Sequence, residues 1–381
     1  MSSKQKINSS IPGLAYPLAR NEIIKTPYGF LKGRTQQDGA EGLWRIRNGL
    51  YDLRTFAKSH PGGAEWITLT KGTDITEAFE AHHLTEKAER ILPKFYIRDA
   101  TTLRSIPLTF EPNGFYHTFK KRALEALKGV DFHRPSKVSN FIADSFLAAT
   151  VFFCLASVYS HILSFIAIII AGFFLAWTAV IGHNYFHMRD NFRMYYFDLS
   201  LMSSKDWRIT HVLSHHLYPN TLWDYEMYAI EPFLKWLPDK NKNIITSFIS
   251  QLSSPIIYTL TFIQQGVKSF IGFNAAHHHP NIFHDGDIYR ENLDWGLLEL
   301  DAVREREIID DVPLLVLTNF GSHGLHHLLP AVDHSYLPLT MPAFLQTCKE
   351  FGISTKRWTQ WELLKGQFKQ LARVECKKNH R

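Results

Sequence analysis

Apolar residues are spread very unevenly along this chain. Ser145 to Ile181 is a run of 37 residues without Asp, Glu, Lys or Arg. A bilayer crossing takes about 20 apolar residues, so the run predicts two crossings with a tight turn near Ser160-His161. The competing reading is a buried helical hairpin of a soluble domain. A second apolar stretch, Ile244–Val267, is charge-free for 24 residues but carries Gln251, Pro255, Gln264 and Gln265. It reads as one crossing or as a Pro-broken pair of short helices. An even count of crossings then needs a further short segment, within 269–276 or 313–322, or a re-entrant pair buried in protein.

Ahead of these stretches, residues 22–100 alternate short apolar runs with turn signals, the pattern of a small α+β domain. Leu43–Ile46 and Leu50–Leu53 flank Arg47-Asn48-Gly49, a hairpin signature. A helix is expected to begin at Thr55–Ser59 and to be interrupted by His60-Pro61-Gly62-Gly63. Residues 1–21 read as a flexible lead, 101–140 as a polar, Pro-punctuated linker, 141–345 as the membrane domain and 346–381 as a basic tail.

Composition changes this picture little. The hydrophobic fraction of 45% is ordinary for a globular chain. The net charge is +6, and Lys349–Arg381 alone carries nine Lys/Arg against three Glu. A basic tail beside a membrane suits the cytosolic leaflet; it equally suits a solvated helix. Met1–Ser10 is polar, with Lys4 and Lys6, unlike a signal peptide, so the N-terminal region is expected in the cytosol. Cys154, Cys348 and Cys376 show no disulfide or metal spacing, which fits a reducing compartment. Nothing in the pattern points to nucleic acid.

The chemistry lies in the histidines. Three boxes share a four-residue step: His183 and His187 (HNYFH), His211, His215 and His216 (HVLSHH), and His323, His326 and His327 (HGLHH). On a helix that step puts two imidazoles on one face, one turn apart. Eight imidazoles exceed the four ligands of a closed zinc site, so the set predicts two metal ions with open positions. Imidazole suits zinc, copper, iron or nickel. Asn274 and His278 repeat the same step within Asn274-Ala-Ala-His277-His278-His279. They are candidate additional ligands, though a triple histidine also reads as a surface loop. Asp190, Asp224, Glu226 and Asp333 are candidates to orient the imidazoles, and His334 reads as structural.

Two glycines after His60 let the backbone turn tightly and approach a flat ligand. Histidines follow at 82 and 83 after Asp74-Ile-Thr76-Glu-Ala-Phe79. With Tyr51-Asp52 ahead of the His60-Pro-Gly-Gly turn, these residues resemble the cytochrome b5 haem-binding domain over roughly 22–100. The resemblance implies haem b with two axial histidines: His60, and His83 by the Phe-x-x-x-His ending of desaturase-fused b5 domains, with His82 as the alternative. A haem closed on both faces passes single electrons only, and tethered to the boxes it favours redox-active iron there over zinc.

The boxes, over about 140–345, resemble the membrane fatty acid desaturase and hydroxylase superfamily. That resemblance implies an all-α polytopic domain of about four transmembrane helices holding two non-haem irons on the cytosolic face of the endoplasmic reticulum membrane. The implied reaction is O2-dependent desaturation of an acyl lipid. Electrons would come from NADH through a separate cytochrome b5 reductase, since no Gly-rich dinucleotide fingerprint is present. Box three opens with His323, where front-end desaturases carrying a b5 domain have Gln. As a whole the chain is similar to a b5–desaturase fusion group, the cytochrome b5-related proteins. Hydroxylation on the same scaffold, a non-catalytic haem-bearing redox or lipid-binding protein, and a membrane zinc hydrolase are the alternatives on the same residues.

Overall fold

The computed structural model describes residues 8–159, 164–239, 242–265, 276–307, 312–319 and 321–378. Near the N-terminus, Trp44–Ile46 (β1) pairs antiparallel with Gly49–Tyr51 (β2), with Ile46 opposite Gly49. Arg47 takes a positive φ of 56° in this turn. Tyr96–Asp99 (β3) adds to the other edge of β2. Short helices Ala64–Leu69 and Thr76–His82 close a small core of Trp44, Ile46, Ile67, Ile75 and Phe79. The helix expected from Thr55 shortens to one 3-10 turn, Ala57–Ser59. Pro61 is the reason: it pushes the preceding residue out of helical geometry, and His60 is extended (φ −64°, ψ 120°).

The stretch 101–140 is not a loose tether. It contains the helix Phe115–Ala126, whose Phe115, Tyr116, Phe119 and Ala123 form a buried stripe at helical spacing. These rings pack on Trp295, Phe344 and Phe351. The Lys120-Lys121-Arg122 cluster hides that stripe in the sequence.

Helices Lys137–Tyr159 and Ser164–Gly182 lie against each other, with Thr150 and Thr178 hydroxyls 3.3 Å apart between them. Arg193 closes one end through a bidentate pair to Asp144 (2.7 and 2.6 Å). Phe141, Phe152, Leu155, Phe165, Ile166 and Ile168 point outward, a belt far more apolar than a water-facing surface. Among the described residues these are the 2 helices long and apolar enough to cross a bilayer. The helix Ile244–Gln265 follows, and its Gln251 Nε2 donates to the Phe368 carbonyl (3.3 Å).

The tail is part of the fold. The helix Gln360–Ala372 opens with a Thr359/Glu362 capping box, and Arg373 grips Asp287 through two nitrogens (2.6 and 2.9 Å). The lead is held as well, since the Ser10 N–H and the Ser9 hydroxyl both donate to Asp285 (2.7 and 2.8 Å).

Candidate metal centre and haem slot

Each box sits on a different kind of turn. Box one begins where the second long helix ends at Gly182 and tightens into a 3-10 turn, His183–Tyr185. Box two lies on a π-helix, Arg208–His215, so the His216 N–H reaches the His211 carbonyl five residues back (2.8 Å). The wide turn turns His211, His215 and His216 to one side, their ring centroids 4.5–5.6 Å apart. This explains why box two is one residue longer than an α-helical step requires. Box three is the short helix His323–Leu328.

The structure brings all eight box imidazoles together, each at most 5% exposed. His183, His187, His216 and His326 offer nitrogens within 4.8 Å of one another, as do His215, His277 and His327. His211 and His323 join them through His183 and His277, each with Nε2 atoms 2.7 Å apart. His277 was not singled out in the sequence. His278, the candidate on the four-residue step, instead stacks flat on Trp236 (3.7 Å between centroids, 8°) and faces His284. Asn274 lies outside the described residues.

The second set can be tested for a cation. The His215 Nδ1–H donates to Asp224 (2.9 Å), that of His277 to the Ala302 carbonyl (2.9 Å) and that of His327 to Glu299 (2.7 Å). Each bond fixes the tautomer and turns an Nε2 lone pair inward. The inward nitrogens lie 3.2 and 3.1 Å from that of His277. Imidazoles sharing one ion at about 2.1 Å each stand roughly 3 Å apart. Lone pairs at that spacing repel unless a positive charge lies between them. Burial lowers the His215 pKa, but Asp224 and Glu226 outweigh it and hold it at about 9. In the metal-free chain that charge is a proton.

In the first set, neither ring nitrogen of His187 or His216 has a hydrogen-bond partner among the described residues, and both rings are buried. A buried polar atom left unsatisfied costs about 1–3 kcal/mol, and metal coordination removes that cost. Residues 183–187, 211–216, 277 and 323–327 therefore fit two imidazole-bound metal ions.

Of the four carboxylates expected to orient imidazoles, two do. Asp224 holds His215, and Glu226 holds His211 (2.8 Å). Asp190 and Asp333 do not: Asp190 pairs with Arg208 (2.8 Å), because both lie at the boundary between the two modules. Asp333 accepts from Asn184 (2.9 Å), Ser136 and Ser139, tying box one to the start of the first long helix. Glu299, fully buried under His327, was missed; it lies 28 residues upstream with no spacing rule to mark it. His334, read as structural, lies 3.0 Å from His326 Nδ1.

In the N-terminal module, His60 Nδ1–H donates to the Gly63 carbonyl and His83 Nδ1–H to that of Phe79 (2.9 Å each). Each bond engages Nδ1 and points Nε2 away from it, and the two rings stand with centroids 6.2 Å apart, inclined at 73°. Burial pushes His83 down to about 4, so its imidazole is neutral and able to bind metal. His82 turns the other way, toward Trp66 and His187. A cavity of about 520 Å³ opens here, walled by Phe56, Ile67, Phe79 and Leu92, and an apolar slot between two opposed imidazoles fits a haem.

The fold and these sites define a cytochrome b5-type module joined to a mostly helical module with clustered histidines. Residues 34–101 match the cytochrome b5-like haem/steroid binding domain. A "Cytochrome b5-related protein" of Drosophila melanogaster is 39% identical, over 94% of this chain and 94% of its own length. One of the same name from Drosophila virilis is 48% identical over 34% of this chain. A "Probable Delta(5) fatty acid desaturase C" of Dictyostelium discoideum is 23% identical over 87% of this chain. No solved structure matches. The chain belongs to the cytochrome b5-related protein family, with fatty acid desaturases as more distant relatives.

Proposed function

We propose that this chain is a membrane-bound, O2-dependent fatty acyl desaturase that receives electrons through its own haem module. One observation carries the reading: buried histidine nitrogens converge in two sets within metal-binding distance, beside a slot with two opposed imidazoles. His60 and His83 would hold haem b, and the eight box histidines with His277 would hold two non-haem irons. When bound, these groups supply one-electron transfer and O2-dependent removal of hydrogen from an unactivated methylene.

The chain's own residues prepare that chemistry. Asp224, Glu226 and Glu299 fix the tautomers of His215, His211 and His327, so no proton need move for metal to enter beyond the one His215 releases. Burial of the cluster keeps bulk water away from the reacting atoms. The outward apolar belt of the two long helices supports an acyl chain arriving from the bilayer. The scattered Cys154, Cys348 and Cys376, without disulfide spacing, together with the basic tail, support a multi-pass protein of the endoplasmic reticulum with both sites on the cytosolic side. A separate NADH-dependent cytochrome b5 reductase would be the electron donor.

The test counts haem and non-haem iron in the detergent-purified chain and profiles lipids of cells expressing it or the His187→Ala/His215→Ala variant. One haem, about two further irons and a new unsaturated acyl species lost in the variant are expected. Haem alone with unchanged lipids would overturn the reading, and a new hydroxylated species would move it to an acyl hydroxylase.

A further inference from the structure

His82 belongs to neither ligand set, yet it sits between them. It immediately precedes His83 at the end of the helix Thr76–His82. Its Nδ1–H donates to the Ala78 carbonyl (3.0 Å), and its Nε2 is buried with no hydrogen-bond partner among the described residues. Its ring lies nearly parallel to that of His187, 17° apart with centroids separated by 6.1 Å. The same cavity is lined by His60 and His83 of the haem module, by His82, and by His187, Met188 and Leu213 of the histidine-box module.

The two modules are also clamped at this spot. Arg208, 1% exposed, joins Glu65 of the haem module (2.7 Å) to Asp190 that follows box one (2.8 Å). Its guanidinium lies 4.5 Å from the ring centroid of Trp66, and Trp66 packs on His82. The Asp190 N–H donates to the Gly62 carbonyl (3.2 Å). A mobile, tethered haem domain needs none of these contacts. They hold His82 against His187.

We propose that His82 is the positioning residue that couples the haem slot to the metal cluster, acting through His187. This rests on the function proposed above. In the step it would serve, a haem held by His60 and His83 would give up one electron, passing from ferrous to ferric, and an iron held by His187 would take it up, passing from ferric to ferrous. No bond forms or breaks and no proton moves, because His82 keeps its Nδ1–H on the Ala78 carbonyl throughout. A flavin-dependent NADH reductase restores the haem electron, and two passages supply one turnover with O2. An aromatic ring at position 82 shortens the gap between the sites that an aliphatic side chain would leave.

The experiment uses the full-length chain in detergent, loaded with haem and iron, as wild type, His82→Leu, His82→Phe and His83→Leu. Haem content and the low-spin haem spectrum, iron per chain, and the rate at which photoreduced haem is reoxidised without O2 are measured for each. Both His82 variants are expected to keep the haem spectrum and the iron. Reoxidation should slow on the order of tenfold in His82→Leu and recover in large part in His82→Phe. A wild-type rate in His82→Leu overturns the proposal. Loss of the low-spin spectrum in the His82 variants, with retention in His83→Leu, overturns it by making His82 an axial ligand. Loss of iron from both His82 variants overturns it by making His82 a structural part of the cluster. Absence of O2-independent reoxidation in the wild type would instead refute the oxygenase reading, and this inference with it.

Discussion

Gly63 and Asp190 face each other across the boundary between the two modules, so closely that a Cβ on Gly63 would stand 2.3 Å from an Asp190 carboxylate oxygen. Gly63 also holds a φ of +114°, which side-chain-bearing residues rarely adopt. The second glycine of the His-Pro-Gly-Gly turn is thus required twice, once by its own backbone and once by the neighbouring module. Gly63→Ala should destabilise the docked haem module by about 1–3 kcal/mol. Adding Asp190→Ala should recover the part due to the clash and leave the backbone strain. Limited proteolysis of the module boundary in Gly63→Ala, Asp190→Ala and the double variant separates the contributions, the Asp190→Ala single variant giving the cost of losing the pair with Arg208; strictly additive effects would mean that there is no clash.

Glu299 is the carboxylate under His327, and both side chains are fully buried. Glu299→Gln replaces the carboxyl group that fixes the His327 tautomer with an amide. Metal affinity should fall about 10–100-fold, as for other carboxylates behind metal-bound histidines, with the haem spectrum unaltered. Competition with a chelator of known affinity reads this directly.

His277 and His278 are neighbours in sequence with different surroundings. His277→Ala removes a nitrogen from the convergent set and should cost more metal affinity than the about 10–100-fold expected for a supporting carboxylate. His278→Ala removes a ring stacked on Trp236, so it should lower stability while the purified chain keeps its metal. Metal per chain in the two single variants decides the matter; equal loss would refute the distinction.

Glu80 ties the helix Thr76–His82 to the helix Phe115–Ala126. Burial alone would raise its pKa, but His117, Lys120 and Arg47 prevail and hold it at about 2 against an ordinary 4.5. A carboxylate depressed on folding contributes stability that is fully present above pH 4.5 and is lost as the pH falls toward about 2. A shift of that size is worth on the order of 3 kcal/mol. Thermal unfolding of the haem module, followed by its Soret band, should lose midpoint temperature in that acid window. In Glu80→Gln the midpoint should be lower at neutral pH and should change less on acidification.

The local patterns were the legible part of this chain. The charge-free run 145–181, the Asn48-Gly49 hairpin and the three histidine boxes are all short-range signals, each set by neighbours within a turn or two. What escaped was set by distant residues. Glu299 and Arg208 act through partners 28 and 143 positions away, and no spacing rule reaches that far. Phe115, Tyr116, Phe119 and Ala123 form a clear stripe, but the adjacent basic cluster made the segment look like a linker. Box two follows a π-helix that a four-residue α-helical reading does not anticipate, and His277 reaches the cluster by a path independent of that step.

The inward-facing nitrogens of His215, His277 and His327 also bear on how long the protein lasts in a cell. A fold that places lone pairs 3.1–3.2 Å apart at its centre is stabilised by whatever cation binds there, and by nothing in the unfolded chain. By mass action, the loaded form outlasts the empty one. Chains made while that cation is scarce would be the first to open and meet proteases, so abundance itself would track cation supply without a dedicated sensor.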